Sequence, residues 1–456
     1  MSGARQQRAV ARVEALLARI DRLNPQLHAF ITVTEVAALD AARACDTAAA
    51  EGRALGPLHG LVVAVKDCID IAGTRGTWGS AFFTERIAAA DATVVRRLRA
   101  AGAILIGTTN LHEFAYGGTT QNPHYGSCRN AWDRKRVPGG SSGGSAVAVA
   151  ASLCDVALGT DTGASIRLPA ALNGIAGLRA TIGCVPNLGC MPVSPPYDVI
   201  GPMAYEVADL ARVLEVIRGY EPADPFSRRP PPPMPARTGG ERPLSGLRIA
   251  LPGGYFREGV DADAVAALDA AAAVLETQGA QLIDADLPMA SEAQEHLNPI
   301  IYADAASFHR ERLEDDPERF GRAVRERLQP GLALAAVDYA RGLRWIERFR
   351  LVVQHFFDEV ADAVLLPAVG GPPPLVSKHE DAIAVTASLS RLFWVAPAGG
   401  MPALALPCGF SSQNLPLGLQ LLGPPWSDDR LLAIGRHYQA VTDWHRRRPD
   451  LPARRA

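Results

Sequence analysis

Short runs of consecutive apolar residues alternate along this chain with longer segments whose apolar residues recur at helical intervals. The runs at residues 59–67 (HGLVVAVKD) and 104–110 (ILIGTTN) are β-branched and nearly continuously apolar, as is typical of strands buried on both faces. Between them, residues 91–103 (DATVVRRLRAAGA) have the spacing of an amphipathic helix. This strand–helix–strand order predicts an α/β fold in which a mixed β-sheet is sandwiched between α-helices.

The same two patterns recur through the rest of the chain. Residues 8–52 predict two helices separated by a turn at Asn24 and Pro25, and residues 289–363 have a mainly helical pattern. Further helices are expected at residues 145–153, from residue 168 onward, at 261–280 and at 428–442, and further strands at residues 154–162, 247–254, 281–288, 362–369 and 402–410.

One Pro- and Gly-rich segment, residues 219–245, has no apolar period. We interpret it as an exposed, partly polyproline-like excursion from the surface of the domain. The chain has 456 residues, of which 48% are hydrophobic, and this is enough for a large buried core. The sequence therefore predicts a single domain over residues 1–456, in which residues 1–55 form an N-terminal helical segment.

The charge of the chain is nearly balanced. It has 46 Lys and Arg residues against 48 Asp and Glu residues, for a formal net charge of −2. Because this balance lacks the basic footprint of a nucleic-acid-binding protein, we expect no nucleic-acid partner. Arginines cluster at residues 436–448 and 452–456, and we interpret them as a solvated helix end, with an anionic partner site as the alternative.

The cysteines and the hydropathy of the chain indicate the cellular compartment in which it is expected to work. The seven cysteines include no CxxC pair, which argues against a disulfide framework and against a zinc site, so no metal is expected. The N-terminal segment is charged and lacks the apolar core of a secretion signal. The longest nearly apolar run, residues 146–158, is interrupted by Asp155 and is too short to span a bilayer. We therefore expect no membrane partner and a reducing, cytoplasmic setting.

The stretch of sequence that most needs a chemical explanation is VPGGSSGGSA, residues 137–146. A flexible linker would be flanked by polar, aperiodic sequence, whereas an apolar helical pattern follows here at once. A phosphate-binding P-loop requires a lysine after its last glycine, and Ser145 occupies that position. Residues 140–144 match the GxSxG nucleophile elbow, but that motif needs a preceding strand, and the preceding residues are charged and broken by a proline.

The wider context of this stretch favours a fourth interpretation. Lys66 follows an apolar strand in VVAVKDCID, Ser141 lies in the glycine-rich stretch, and Ser165 follows 24 residues later in GTDTGASIRLPA. Together these segments resemble the amidase signature family. The resemblance covers nearly the whole chain and extends to LHAFI, GTRGTWGS, NLHEFAYGGTTQNPHYG, NGIAGLRAT, DVIGPM and GGMPALALPCGF followed by LPLGLQLLG.

The resemblance implies that Ser165 is the nucleophile and that Ser141, on a cis peptide bond, relays its proton to Lys66. A lysine can act as a base only when it is neutral, and burial favours the neutral form. Ser142 is the competing candidate for the relay, and the spacing to Ser165 favours Ser141. The tetrahedral intermediate needs hydrogen-bond donors, which the backbone amides of this turn would supply; these are the amides of Thr162, Gly163, Ala164 and Ser165.

Other residues are expected to support the site. Asp161 and Arg167 are expected to pair under the loop, and Thr160 is a candidate supporting hydroxyl. By resemblance, Tyr116 and Gly117 would line the substrate site, although an aromatic residue there could equally belong to the core. Asn110 and Asp198 are expected to hold loops, and Ala164 stands where the family usually has glycine. Three segments are expected to shape the pocket: residues 185–200, 290–350 and 370–395.

The resemblance implies a serine hydrolase that cleaves amide C–N bonds through an acyl-enzyme, without a cofactor, with esterase or urethanase activity as a further option. Residues 251–272 are most similar to the carboxybiuret and allophanate hydrolase branch. We therefore expect a stand-alone enzyme acting on a small aryl-amide, carbamate or urea-derived substrate, with a homodimer as one compatible assembly. The alternative is the glutaminase (A-type) subunit of a tRNA-dependent amidotransferase complex.

Overall fold

A computed structural model describes residues 8–232, 242–377 and 382–451. The predicted excursion at residues 219–245 and the terminal arginine cluster at 452–456 therefore lie partly or wholly outside the described residues. The strands are β1 (Phe30–Val33), β2 (Val62–Lys66), β3 (Ile104–Thr109), β4 (Gln121–Asn122), β5 (Gly126–Ser127), β6 (Val156–Asp161), β7 (Ala176–Arg179), β8 (Val199–Ala204), β9 (Arg248–Ala250), β10 (Gln281–Ile283), β11 (Ala363–Pro367), β12 (Ala403–Phe410) and β13 (Pro416–Leu422).

Helices surround these strands and include every helical segment that the sequence pattern predicts. The helices are α1 (Ala9–Leu27), α2 (Glu35–Ala50), α3 (Thr93–Ala100), α4 (Gly143–Ala150), α5 (Arg167–Asn173), α6 (Val207–Ile217), α7 (Gly254–Arg257), α8 (Ala262–Thr277), α9 (Ala293–Asp315), α10 (Arg322–Leu332), α11 (Ala336–Glu359), α12 (Ala382–Ser390), α13 (Val395–Gly399) and α14 (Asp428–Val441).

One 11-stranded sheet organises the fold, with the strand order β1-β3-β2-β6-β8-β7-β12-β13-β11-β9-β10. Strands β3, β2 and β6 are mutually parallel, as are β11, β9 and β10, whereas β6, β8, β7, β12, β13 and β11 pair in antiparallel fashion. The sheet is therefore mixed, and the predicted α/β architecture is confirmed.

The pairing of β2 with β6 creates the framework of the site. The two strands run parallel, with Val65 opposite Leu158, so their carboxyl ends emerge side by side at one edge of the sheet. Every residue of both strands is buried. Lys66, at the end of β2, consequently lies next to the polar residues at the end of β6.

Helix α4 packs against this part of the sheet through small side chains. All of its residues are buried, so small side chains are needed on every side of the helix. At Gly144, a Cβ atom would lie 2.3 Å from the carbonyl oxygen of Asn110, so the backbone approaches too closely for any other residue. The glycine content of this stretch, which is also typical of a linker, therefore allows close backbone packing here.

Two local predictions need correction. Helix α1 continues through Pro25 to Leu27, so the predicted turn at Asn24 and Pro25 is wrong. The helix end is stabilised by a local hydrogen bond, which the Phe30 amide donates to the Asn24 side chain at 2.8 Å, and by the burial of Leu27. The sequence pattern also predicted no strands at β1, β4, β5, β7, β8 and β13. Among the described helices, none has the length and hydropathy required to cross a bilayer.

Candidate active site

Lys66 lies at the centre of a buried hydrogen-bonded group. Its side chain is fully buried, and its Nζ atom lies 2.7 Å from Ser141 Oγ and 2.7 Å from Thr160 Oγ1. Burial lowers the pKa of Lys66, because the charged amine loses its hydration. The arrangement therefore places an amine with a tendency to be neutral in contact with a serine hydroxyl.

The negative charges of Asp161 and Asp198 oppose this effect of burial on Lys66, but Asp161 is already paired with other cations. Asp161 forms buried ion pairs with Arg167 at 3.0 Å and with Arg179 at 3.1 Å. Burial by itself would raise the pKa of Asp161, but the two guanidinium groups outweigh it and hold that pKa at about 2. The predicted pairing of Asp161 with Arg167 is present, and Arg179 is a partner that sequence reasoning missed.

The two tandem serines have different surroundings. The Gly140–Ser141 peptide bond is cis, and the Ser141 hydroxyl contacts Lys66. The Ser142 hydroxyl instead donates to the carbonyl oxygen of Thr160 at 3.1 Å and accepts from its amide at 3.2 Å. Ser142 thus ties the loop to the end of β6, whereas Ser141 is in contact with the amine.

The glycine-rich loop is held from the opposite side by Thr120. Its hydroxyl donates to the carbonyl oxygen of Gly139 at 2.8 Å and accepts from the Gly143 amide at 3.1 Å. The His112 amide adds a hydrogen bond to the Ser141 carbonyl oxygen at 3.1 Å. Sequence reasoning did not identify Thr120, because a threonine in a Gly-rich turn gives no signal of a long-range contact.

Ser165 is half-buried and lines a cavity beside the loop. The Ser142 amide donates to the Ser165 carbonyl oxygen at 3.2 Å, which brings the two serine-bearing segments into contact. In the described part of the chain, none of the four amides from Thr162 to Ser165 donates to another backbone carbonyl. These amides are therefore available to an external oxygen at the turn that enters α5.

The turn itself is fixed by Asp198 and by apolar packing. Thr162 donates from its hydroxyl to Asp198 at 2.5 Å, and the same carboxylate accepts from the amides of Val193 and Ser194. The methyl group of Ala164 is buried in an apolar cluster of α5 and neighbouring residues. Alanine is accommodated at this position because its side chain points into packed protein. Asn110 likewise bridges loops, through its amide group, to the carbonyl oxygens of His28 and Gly126.

Distant segments complete the walls of the cavity. Tyr116 and Gly117 line it, together with residues from each of the three segments that the sequence analysis expected to shape the pocket. A Cβ atom on Gly163 would lie 3.0 Å from Trp394 Cη2, so the indole packs directly on the turn backbone. The lining residues from the three segments are Val193, Ile301, Arg327, Thr386, Ser390 and Trp394.

A second cavity lies away from these residues. It measures about 900 Å³ and is lined by charges of both signs, including Arg12, Asp46 and Asp155 near helix α1. These side chains already bond to protein: Asp46 accepts from the amides at the start of α1, and Asp155 pairs with Arg12. None of the candidate catalytic residues lines this cavity, so size alone does not locate the chemistry.

Comparison with known proteins finds relatives that act on amide bonds. The Amidase family model matches residues 11–432. The A subunit of the glutamyl-tRNA(Gln) amidotransferase of Chloroflexus aggregans is 43% identical over 468 residues, which cover 97% of this chain and 95% of that protein. A solved structure described as a vestigial protein complex that reveals the origins of an s-triazine catabolic enzyme is 33% identical, with a TM-score of 0.88 and 95% of each chain covered. The solved structure of the Thermotoga maritima counterpart of the Chloroflexus protein is 28% identical, with a TM-score of 0.76, 94% of this chain and 91% of that chain covered.

The fold and these relatives define an α/β enzyme that acts on amide C–N bonds, as a hydrolase or an amidotransferase. The chain belongs to the amidase family, also known by its amidase signature, as the sequence motifs indicated.

Two expectations from the sequence are wrong. The stand-alone hydrolase of aryl amides, carbamates or urea-derived substrates is contradicted by full-length relatives that are named as the A subunit of an amidotransferase. The same names contradict the expectation of a small-molecule substrate with no nucleic-acid partner. Net charge describes only the chain's own electrostatic footprint, so it does not exclude a nucleic acid that is held mainly by another protein of a complex. Motifs in the catalytic loops indicate which reaction the protein catalyses, but they carry little information about the proteins with which it assembles.

Proposed function

We propose that this chain is the amide-cleaving A subunit of a tRNA-dependent amidotransferase, and that it takes nitrogen from the side-chain amide of glutamine. The observation that carries the chemistry is the 2.7 Å contact between the buried Lys66 amine and the Ser141 hydroxyl. The observation that favours this assembly is the 43% identity, over 97% of the chain, to the A subunit of such an enzyme.

In the proposed first step, Ser165 Oγ attacks the amide carbon. Its proton passes to Ser141 Oγ while the proton of Ser141 passes to neutral Lys66. A serine hydroxyl needs such a base, because it is a weak nucleophile while protonated. The negative charge that develops on the carbonyl oxygen would be stabilised by the amides between Thr162 and Ser165.

In the second step the proton returns from Lys66 through Ser141 to the leaving nitrogen. Ammonia departs and an ester between the acyl group and Ser165 remains. Water then attacks this ester, with the same pair acting as base, and releases glutamate. Elsewhere in the complete assembly, the ammonia would attack the side-chain carboxyl of a glutamyl group on tRNA after that carboxyl has been activated by a nucleoside triphosphate, and the activating group would leave as the new amide forms. Asp161 and Arg167 hold the turn in place and take no part in proton transfer.

The test follows the amide nitrogen. The chain is purified with its partner subunits and supplied with ATP, glutamine labelled with ¹⁵N in the side-chain amide, and glutamyl-tRNA(Gln). The tRNA-linked amino acid is then analysed by mass spectrometry. The expected result is labelled glutaminyl-tRNA, which disappears in a complex containing Ser165→Ala. Ammonia release without any transfer of label, in an assembly that binds the tRNA, would contradict the amidotransferase role.

A further inference from the structure

Two cysteines from separate segments of the chain meet beside Lys66. Cys68 follows the end of β2, and Cys190 lies in the loop between β7 and β8. An isolated antiparallel bridge pairs Ile69 with Cys190. Next to this bridge, the Met191 amide donates to the carbonyl oxygen of Cys68 at 2.8 Å. A hydrogen bond joins the two thiols, both of which are free, so the fold holds two reduced sulfur atoms next to each other.

The Cys68 side of this pair contacts the surroundings of the candidate base. Its side chain is fully buried, and its Sγ atom lies 3.9 Å from the hydroxyl oxygen of Thr160. The same oxygen lies 2.7 Å from Lys66 Nζ. Burial lowers the pKa of Lys66, and Cys68 and Cys190 are the first two of the groups that oppose this effect. A chemical change at the pair is therefore transmitted to Lys66.

The Cys190 side of the pair is accessible from the protein surface. All seven cysteines lie within the described ranges, and six of them are buried, whereas Cys190 is partly exposed. Cys190 lines a cavity of about 210 Å³, which Asp198 also lines. Ser165 lines a different cavity. A small molecule therefore reaches the pair without passing the candidate nucleophile.

The hydrogen bond between the thiols makes their acidities unequal. Burial by itself would raise the pKa of the Cys68 thiol, but other interactions, of which the hydrogen bond with Cys190 is the largest, lower it. The same hydrogen bond, together with burial, raises the pKa of Cys190. The pair therefore loses its first proton more readily than an isolated thiol and shares the remaining proton between two sulfur atoms. The thiolate formed in this way is the nucleophilic form of cysteine.

We propose that Cys68 and Cys190 form an oxidation site, at which a hydroperoxide converts the two thiols to a reversible disulfide that slows amide cleavage. The effect on cleavage rests on the proposed function, whereas the oxidation itself does not. A hydroperoxide suits the site because the cavity at Cys190 is smaller than the roughly 300–1,000 Å³ of pockets that hold drug-sized ligands.

The reaction consumes one hydroperoxide and two thiol groups. The Cys190 proton passes to the Cys68 thiolate, and the Cys190 sulfur attacks the peroxide, so that an S–O bond forms and the O–O bond breaks. With hydrogen peroxide, the departing hydroxide takes the proton from Cys68 and leaves as water. The Cys68 thiolate then attacks the Cys190 sulfur, an S–S bond forms, and hydroxide leaves. The two sulfur atoms together lose two electrons, which reduce the peroxide.

The disulfide removes a contact that supports the position of Lys66. A disulfide sulfur has neither the proton nor the negative charge of a thiol, so the interaction of Cys68 with the Thr160 hydroxyl is lost. Thr160 Oγ1 and Ser141 Oγ each lie 2.7 Å from Lys66 Nζ. Because a displacement of about 1 Å at a catalytic group costs about 10²-fold in rate, oxidation is expected to lower kcat.

The experiment oxidises the assembly that contains this chain and its partner subunits. The reduced assembly is incubated with hydrogen peroxide, free thiols are blocked with iodoacetamide, and unreduced peptides are mapped by mass spectrometry. The kcat and KM of ammonia release from glutamine are measured before oxidation, after it, and after treatment with dithiothreitol. The variants are Cys68→Ser, Cys190→Ser and the control Cys45→Ser, which removes a buried thiol from α2.

The wild type and Cys45→Ser are expected to give a peptide linked through Cys68 and Cys190. Their kcat should fall at least about tenfold with KM nearly unchanged, and dithiothreitol should restore it. Reduced Cys190→Ser should have nearly wild-type kcat, because Cys190 does not contact the Lys66 amine. Peroxide should leave kcat unchanged in Cys190→Ser and in Cys68→Ser. An equal loss of kcat in Cys190→Ser would place the sensitive group elsewhere and reject the proposal.

The peptide map separates this inference from the proposed function. If the wild-type assembly releases no ammonia from glutamine, the proposed function fails, and the map still decides whether the two cysteines form an oxidation site. Absence of the linked peptide after peroxide treatment of the wild type would overturn the site even if ammonia is released. A linked peptide that forms without any change in kcat would contradict the proposed effect on cleavage.

Discussion

The side-chain nitrogen of Lys66 lies 2.7 Å from the hydroxyl of Ser141, in a part of the protein where neither residue has any exposed surface. A charged amine in such a place would need an ion pair, and Asp161, whose charge acts on Lys66, is already paired with two arginines. The contact is therefore between a serine and an amine whose neutral form is favoured, which is the condition for base catalysis.

Replacing Lys66 with alanine should lower kcat for amide hydrolysis by at least about 10²-fold, because the serine hydroxyls lose their proton acceptor. Wild-type activity should also fall as pH drops through the lowered pKa of Lys66, since protonation removes the lone pair that accepts the proton. Steady-state ammonia release across a pH series measures both effects. Lys135→Ala, at an exposed position, is the matched control. Retention of the wild-type pH profile in Lys66→Ala would point to another base.

Lys66→Met should make the protein more stable at neutral pH while removing activity. Because the pKa of Lys66 is lowered in the folded state, the unfolded chain binds more protons than the folded chain at pH values between that lowered pKa and the ordinary pKa of lysine. The stability of the wild type should therefore rise with pH toward the ordinary titration range of lysine, and the advantage of the methionine variant should shrink over the same range. Urea denaturation at several pH values tests this. An advantage that is independent of pH would show that Lys66 is not neutral in the fold.

Ser141→Ala should mainly reduce activity, whereas Ser142→Ala should mainly reduce stability. Loss of the Ser141 hydroxyl interrupts the contact with Lys66, and kcat should fall by about 10²- to 10⁴-fold with little change in stability. Loss of the Ser142 hydroxyl removes two bonds to the Thr160 backbone, so its main effect should be a lower free energy of unfolding. Parallel kinetics and urea titrations separate the two. A milder kinetic effect at Ser141 than at Ser142 would reverse the assignment of the relay.

Ser165→Ala should lower kcat by more than about 10³-fold and leave the unfolding midpoint nearly unchanged, because this hydroxyl is half-buried at the cavity wall. Mass spectrometry after rapid quenching should detect an acylated peptide containing Ser165 in the wild type and none in the variant. Acylation at a different serine would reject Ser165 as the nucleophile.

Asp161→Asn should reduce the free energy of unfolding by about 3–5 kcal/mol, because it leaves Arg167 and Arg179 buried without their shared counter-ion. Since the folded pKa of Asp161 is about 2, below its ordinary value, its stabilisation is present above that ordinary value and is lost as pH falls toward 2. The asparagine variant should lack this acid dependence. The control is Asp40→Asn, which removes an exposed pair with Arg43 and should change stability by less than about 1 kcal/mol.

The sequence predicted most of the elements because the strands that carry the site are buried on both faces. Continuous apolar runs such as Val62–Lys66 leave no other environment for their side chains. It failed at Pro25, where the hydrogen bond from the Phe30 amide to the Asn24 side chain and the burial of Leu27 outweigh the helix-breaking tendency of proline. The expectations of a stand-alone enzyme and of no nucleic-acid partner are contradicted by the names of the relatives, because motifs in the catalytic loops carry little information about assembly.

By itself the sequence determined that this is an amidase-family chain with a mixed sheet, and it singled out Lys66, Ser141 and Ser165 as candidates. Only the tertiary structure decided which serine contacts the amine, which carboxylate the two buried arginines share, and which arginine of α10 faces the cavity. The physical reason is that hydrogen bonds and ion pairs depend on distance in space. Local pattern predicts whether a residue is buried, but its partner is fixed only when separate segments pack together.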